Sequence, residues 1–129
     1  MIIEMCATER LKHIEGYSNR RVDWLLSKVL AEGVWTKPLA LDSEHSLVLD
    51  GQHRMEVARR LQLACVPVVR FDYSMVSLRS LRPKYKFDWR AVTENALMEN
   101  IYPYKTVKHD FRDTLPVCAF SLKELGYAG

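Results

Sequence analysis

The sequence has no long hydrophobic run and few cysteines, and both features narrow the class of protein. Cys6, Cys65 and Cys118 are far apart and odd in number, so neither a disulfide framework nor a Cys-x-x-Cys zinc site is predicted. No apolar stretch approaches the ~18 residues that a membrane span needs. Because residues 1–10 contain two glutamates and no basic-then-apolar signal pattern, we expect a cytoplasmic protein.

Length, composition and charge predict a single domain with a basic middle. The chain has 129 residues, of which 48% are hydrophobic, and this is enough for one core spanning residues 1–129. The net charge is +3, but residues 52–90 contain nine lysines and arginines against three acidic residues. Such a segment binds nucleic acid, a nucleotide or an acidic metabolite, or is a solvated surface, and composition leaves these readings open.

The hydrophobic pattern alternates between the periods of helices and strands. Apolar residues at three- and four-residue spacing predict helices over 20–32, 52–61 and 88–100. Runs of β-branched and apolar residues predict strands over 36–41, 46–49 and 65–73, and residues 121–125 are predicted as a short last helix. This order predicts a small α/β or α+β domain, with Trp24 and Trp35 in its core.

The most informative segment is Asp50-Gly51-Gln52-His53-Arg54, where a predicted buried strand meets a predicted helix. Gly51 permits a tight turn or a close approach to a ligand. The free N–H groups of the first helical turn attract anions, and Arg54 adds a fixed cation. Asp50 either caps the helix or handles a metal ion or a proton. The arrangement suits phosphate chemistry.

Two further motifs flank this turn in the sequence: Leu11-Lys12-His13-Ile14-Glu15 before it, and Pro103-Tyr104-Lys105-Thr106-Val107-Lys108-His109 after it. Together the three motifs resemble the free serine kinase branch of the ParB/sulfiredoxin-like superfamily, over roughly residues 9–112. Those kinases carry an Asp-Gly-His-His-Arg turn, an early glutamate after a Leu-x-Pro-His-like stretch, and a late Lys-Thr-x-Arg-His segment. In this chain Gln52 replaces the first histidine of the turn, and Lys108 replaces the arginine.

The resemblance implies a compact α+β domain, with a small mixed sheet and flanking helices, that acts as a Mg²⁺-dependent phosphotransferase. The enzyme would move a phosphoryl group from ATP or ADP to the hydroxyl of free L-serine, giving O-phospho-L-serine for amino-acid biosynthesis. Glu15 would be the base, and Asp50 would organise Mg²⁺ and the reacting hydroxyl. Phosphates would be bound by Gly51, Gln52, His53 and Arg54, and the amino-acid substrate by Lys105, Thr106, Lys108 and His109.

Two alternatives remain open. One is a ParB-type module that binds CTP and DNA, and the other is a kinase of the same architecture with a different small hydroxyl acceptor. Residues 74–87 read as a basic loop or short strand that could contact a nucleic-acid backbone. The ParB turn, however, usually reads Gly-Glu-Arg-Arg, which argues against a nucleic-acid partner. The sulfiredoxin branch is not indicated because no cysteine stands in the turn. No membrane partner and no particular oligomeric state are predicted.

Overall fold

The computed structural model describes residues 1–129 and contains three helices and eight strands. The helices are α1 (Asn19–Glu32), α2 (Gln52–Arg60) and α3 (Trp89–Leu97). The strands are β1 (Glu4–Ala7), β2 (Val34–Trp35), β3 (Leu39–Asp42), β4 (Val48–Asp50), β5 (Cys65–Phe71), β6 (Val76–Ser80), β7 (Val107–Phe111) and β8 (Phe120–Ser121). The predicted α+β class and the three long helices are confirmed.

A four-stranded mixed sheet in the order β1-β5-β3-β4 forms the centre of the molecule. Strand β5 pairs antiparallel with β1 and parallel with β3, and β3 pairs antiparallel with β4. Successive residues of β3 and of β4 alternate between two hydrophobic cores, because successive side chains of a strand point to opposite faces. Leu39, Leu41 and Val48 join the larger cluster with α1 and α2, whereas Ala40 and Leu49 join the smaller cluster with α3.

Helix α1 has well-defined capping residues at both ends. The Ser18 hydroxyl accepts a hydrogen bond from the Arg21 N–H, and Gly33 follows the last turn with a φ of +70°. Its buried face consists of Val22, Leu25 and Val29. Trp24 lies off this face and is 64% exposed, so its predicted place in the core is wrong, whereas Trp35 is 1% exposed, as predicted.

The helix predicted over 121–125 does not form. Phe120 and Ser121 pair with β2, and the chain then makes one tight turn in which Leu125 N–H donates to the Leu122 carbonyl. Leu122 and Leu125 are both buried, and Gly126 follows with a φ of +97°. The three-residue spacing of these two leucines therefore places both in the core through a single turn, which ends at Gly126.

The fold positions the turn between β4 and α2 and the start of β7, which carry two of the three motifs. Strand β4 ends at Asp50, Gly51 turns the backbone with a φ of +116°, and α2 begins at Gln52. The predicted basic loop or short strand over 74–87 contains β6, which pairs antiparallel with β7 and thereby positions residues 107–109. None of the three helices has the length and hydrophobicity needed to cross a membrane.

Replacing Gly51 with alanine will destabilise the protein more than the same change at Gly33. A Cβ at residue 51 would lie 3.1 Å from Leu39 Cγ in addition to the backbone strain of a φ of +116°, whereas a Cβ at residue 33 meets nothing within 4 Å. We expect Gly33→Ala to lower the free energy of unfolding by about 1 kcal/mol and Gly51→Ala by at least about 2 kcal/mol. Urea unfolding of both variants measures this difference, and equal losses would contradict it.

Candidate active site

A cavity of about 510 Å³ lies where the turn after β4 faces the loop before α1 and the segment leading into β7. It brings together residues from all three motifs that are distant in the sequence. Of the predicted site residues, all but Thr106 line it: Glu15, Asp50, Gly51, Gln52, His53, Arg54, Lys105, Lys108 and His109. Residues of all three motifs therefore line one cavity.

The first turn of α2 opens into this cavity without a side-chain cap. Gly51 occupies the N-cap position, and no side chain accepts a hydrogen bond from the first N–H groups of the helix. Asp50 does not act as the cap, and its exposed side-chain carboxylate makes no hydrogen bond or ion pair with the protein. Unpaired N–H groups and the helix dipole make this end of α2 suited to an anion.

Arg54 supplies a cation beside these N–H groups. Its guanidinium is partly buried and has no hydrogen-bonding or ion-pair partner in the protein. Burial lowers the pKa of Arg54, and the nearby Asp50 carboxylate opposes this shift. An arginine stays charged despite such a shift, and an unpaired buried charge is costly. The guanidinium is therefore placed to pair with an anion in the cavity.

His53 connects the start of α2 to the start of α1. Its Nε2 accepts a hydrogen bond of 3.1 Å from the Ser18 N–H at the N-cap of α1. Burial lowers the pKa of His53, and the positive charges of Arg21 and Arg54 lower it further. The ring is therefore neutral near pH 7, with its proton on Nδ1. That N–H remains available as a donor.

The Gln52 side chain is 6% exposed, and both ends of its amide are used within the protein. Its Nε2 donates to the Val48 carbonyl, and its Oε1 lies 2.6 Å from His13 Nδ1. Only the backbone N–H of Gln52 is left for a phosphate. The role of this residue in phosphate binding stays a prediction and concerns its main chain.

Glu15 is held by two backbone N–H groups from the far end of the chain. Its Oε1 accepts hydrogen bonds from Thr106 at 3.0 Å and from Val107 at 2.7 Å, and its Oε2 has no protein partner. Burial raises the pKa of Glu15 above its usual value, although the two backbone hydrogen bonds and Arg82 favour the charged form. The Asp50 carboxylate raises this pKa further. A carboxyl group of this kind is suited to accepting a proton.

The predicted substrate-binding residues have different environments. Lys105 has a φ of +56° and lies over the Tyr104 ring, and Lys108 is exposed. Thr106 is fully buried and its hydroxyl donates to the Pro103 carbonyl, so only its backbone N–H serves the site, through Glu15. Substrate binding by the Thr106 hydroxyl stays a prediction and would require this bond to break.

His109 lies in the wall of the cavity. It is 3% exposed, and its Nε2 shares a hydrogen bond of 2.8 Å with the Tyr73 hydroxyl. Burial lowers the pKa of His109 to about 4, against smaller opposing effects from the Leu49 backbone and Asp110. The ring is therefore neutral near pH 7, and its predicted contact with substrate would be a hydrogen bond without charge assistance.

Sequence reasoning missed several residues of the site. Arg82 donates two hydrogen bonds to the Tyr104 carbonyl, at 3.2 and 2.6 Å, and so holds the loop that carries Lys105. Three more cations and one exposed aromatic ring also line the cavity: Arg21, Lys28 and Lys37, with Trp24. A signal was present, because Arg21, Trp24 and Lys28 recur at three- and four-residue spacing on one face of α1.

The comparisons with known proteins agree on the fold. No family model matches the sequence, and no curated protein does. Among solved structures, a glutamate-to-alanine variant of a free serine kinase in complex with ADP superposes with a TM-score of 0.86. The two chains are 12% identical, and the match covers 95% of this chain and 93% of the other. The chain has the ParB/sulfiredoxin-like fold of the free serine kinases.

Two other solved structures share this fold. SbnI with a C-terminal truncation, from Staphylococcus aureus, gives a TM-score of 0.86 at 9% identity over 98% of this chain and 90% of that chain. A conserved hypothetical protein from Pyrococcus furiosus gives a TM-score of 0.76 at 11% identity over 97% of each chain. The fold predicted from the three motifs is thus confirmed.

Substitutions of Glu15 will separate its burial cost from its hydrogen bonds. A raised pKa contributes stability below the ordinary pKa, and that contribution is lost as the pH rises through the folded-state value. Glu15→Gln keeps an oxygen for Thr106 and Val107 but carries no charge, so we expect it to unfold at higher urea than the wild type at about pH 7 and at similar urea at about pH 3.5.

Glu15→Ala is the matched comparison, because it removes the acceptor as well as the charge. We expect it to lower the free energy of unfolding by about 1–3 kcal/mol, since two buried N–H groups lose their partner. Urea unfolding at both pH values tests both variants. A glutamine variant less stable than the wild type at about pH 7 would show that the buried charge is itself stabilising.

Proposed function

We propose that this chain is a nucleotide-dependent kinase that transfers a phosphoryl group from ATP or ADP to the hydroxyl of free L-serine, giving O-phospho-L-serine. One observation carries the proposal: two carboxylates, Glu15 and Asp50, share a cavity with the unpaired Arg54 and the uncapped start of α2. Phosphoryl transfer needs a site for the donor's phosphates and a carboxylate for the attacking hydroxyl, and this cavity offers both.

The charges of the cavity suit a nucleotide. Six cationic side chains line it against the two carboxylates: Arg21, Lys28, Lys37, Arg54, Lys105 and Lys108. A surplus of positive charge in a concave site attracts polyphosphate. Solved structures of free serine kinases with this fold contain AMP or ADP, which supports a nucleotide as the donor.

There is room for two substrates around Asp50. A second cavity of about 660 Å³ adjoins the first, and both are lined by Asp50, Gly51 and Arg54. A donor and an acceptor in adjoining cavities would meet at this common wall. The transferred group would then lie beside Arg54 and the first N–H groups of α2, where its negative charge is stabilised.

The proposed step uses the free oxygen of Glu15. The serine hydroxyl oxygen forms a bond to the terminal phosphorus of the donor, and the bond from that phosphorus to the leaving nucleotide oxygen breaks. The hydroxyl proton passes to Glu15 Oε2, which has no other partner. The raised pKa of Glu15 favours this acceptance. Lys105 and Lys108 supply charge for the carboxylate of the amino acid.

The residues present fit a Mg²⁺ ion that arrives with the nucleotide. No three His, Cys, Asp or Glu side chains group together as a metal site. Nucleotide-bound Mg²⁺ takes only one or two protein carboxylates, with phosphate oxygens and water as its other ligands. The free carboxylate of Asp50 would be that ligand, and the ion would neutralise charge on the phosphates.

Phosphate transfer to serine should require Asp50. Purified protein with L-serine, Mg²⁺ and either ATP or ADP is expected to form O-phosphoserine, measured by mass spectrometry. Asp50→Asn should reduce the rate at least about 100-fold, because the variant would lose the carboxylate proposed to hold Mg²⁺ on the phosphates. Asp23→Asn is the control, since Asp23 is an exposed aspartate paired with Arg60 away from the turn. Product formed equally by both variants would contradict the assignment of Asp50.

The same assay separates the alternatives. Transfer to another small hydroxyl compound, with no product from serine, would show that the protein is a kinase with a different acceptor. Binding of CTP together with salt-dependent DNA binding, and no transfer, would favour the ParB-type module. The structure gives that module little support, because Arg79 pairs with Asp110 and Arg82 is bound to the Tyr104 carbonyl.

Arg54→Ala should weaken ADP binding about 10- to 100-fold, the value of a charge-assisted hydrogen bond lost from a partly buried site. Arg10→Ala is the control because it removes the same charge from an exposed position outside the cavity. Isothermal titration calorimetry of both variants with ADP measures the effect. Equal affinities for the two variants would place the phosphates away from α2.

A further inference from the structure

His13 forms a buried hydrogen-bonded link between the segment that carries Glu15 and the first two turns of α2. Its Nδ1 lies 2.6 Å from Gln52 Oε1, and its Nε2 lies 2.7 Å from Glu56 Oε2. The side chains of His13 and Glu56 are 10% and 9% exposed. None of these contacts belongs to the transfer step described above.

The partners of the ring define its protonation state. The amide of Gln52 cannot be turned around, because its other end faces the Val48 carbonyl, which can only accept. Its oxygen therefore faces His13, and the Glu56 carboxylate faces the other ring nitrogen. A neutral imidazole would turn a lone pair towards one of these two oxygens. A ring with a proton on each nitrogen satisfies both.

The other charged groups around the ring are compatible with this state. On α2, Arg59 lies 3.3 Å from the same Glu56 oxygen. The nearby Glu56 side chain is the main reason that the pKa of Tyr17 is raised. His53 is neutral in this arrangement, and the groove beside His13 is lined by further groups of both signs: Glu9, Lys12, Arg59 and Glu99. Glu56 is the only one of these groups in ion-pair contact with the ring.

The His13 contacts lie between the segment that carries Glu15 and the start of α2. Lys12 forms a parallel bridge with Leu47, and Glu15 forms one with Tyr102, so the main chain on either side of His13 is already held. The ring adds a connection to α2, whose first turn is the proposed phosphate site. Gln52 replaces the first histidine of the Asp-Gly-His-His-Arg turn of the kinases that the sequence resembles. Its side chain instead contacts a histidine, His13, on a different segment.

We propose that His13 is a positioning residue that, as an imidazolium between Gln52 and Glu56, sets the separation between Glu15 and the phosphates bound at the start of α2. The proposal rests on the proposed function. It differs from a purely structural role because catalysis would require the doubly protonated ring. Small displacements between a base and the reacting group lower the reaction rate by large factors.

The protonation state of the His13 ring can be measured by NMR without any catalytic assay. Nitrogen-15 NMR spectra of the labelled protein should show a proton on both His13 ring nitrogens at about pH 7. The His13 signals should shift when ADP is added. A His13 ring with one unprotonated nitrogen at this pH would overturn the proposal whatever the protein catalyses.

Kinetics test the positioning role with His13→Gln, and His45→Gln is the matched control at an exposed histidine. We expect His13→Gln to lower kcat about 10- to 100-fold while ADP affinity changes less than about 3-fold. Glu56→Gln should reproduce the loss of kcat, because it removes the carboxylate that requires the imidazolium.

The outcomes remain distinguishable from those of the proposed function. A wild type that transfers phosphate to no acceptor but shows a doubly protonated, ADP-responsive His13 ring would overturn the function and keep the link between His13 and the phosphate site. An active wild type whose kcat is unchanged in His13→Gln would overturn the positioning role and keep the kinase. Should His13→Gln unfold, Glu56→Gln provides the same kinetic comparison.

Discussion

The attachment of the Glu15 carboxylate to the backbone of Thr106 and Val107 is the interaction on which the site depends. It joins a loop near the start of the chain to the beginning of β7, and the bridge between Glu15 and Tyr102 extends the contact. It acts together with Arg82, which holds the loop that carries Lys105, to fix this motif relative to the loop before α1. The Glu15 side chain thus links two walls of the cavity, and its second oxygen has no protein partner. One oxygen of Glu15 thus holds the backbone, and the other is the proposed proton acceptor.

The cavity contains several features that stability alone does not explain. Gly51 leaves the first N–H groups of α2 uncapped, Arg54 has no partner, and Lys105 adopts a left-handed backbone conformation. Each is unfavourable in the free protein, by about 1 kcal/mol or more for a missing cap or a strained residue. Departures of this kind concentrate at functional sites, where a ligand offsets them. A bound polyphosphate would satisfy the helix end and the guanidinium together.

The parts of this structure that could be predicted from sequence are local or depend on a motif. The turn at Gly51, the capped helix α1 and the strand before Asp50 follow from residue types and spacing. Contacts between distant segments could not be predicted. The hydroxyl of Thr106 is used by Pro103, and Gln52 faces His13, because of tertiary packing that no spacing reveals. The last helix fails because Leu122 and Leu125 need only one turn to reach the core.

A crystal structure of the protein with ADP and Mg²⁺ would show where the phosphates bind. We expect the terminal phosphate within about 3 Å of the first N–H groups of α2 and of the Arg54 guanidinium. We also expect the free oxygen of Glu15 to face the same phosphate across the space for an acceptor. Phosphates bound instead on the basic residues of β6 and the loop that follows it, with the start of α2 in contact only with solvent, would rule out the start of α2 as the phosphate site.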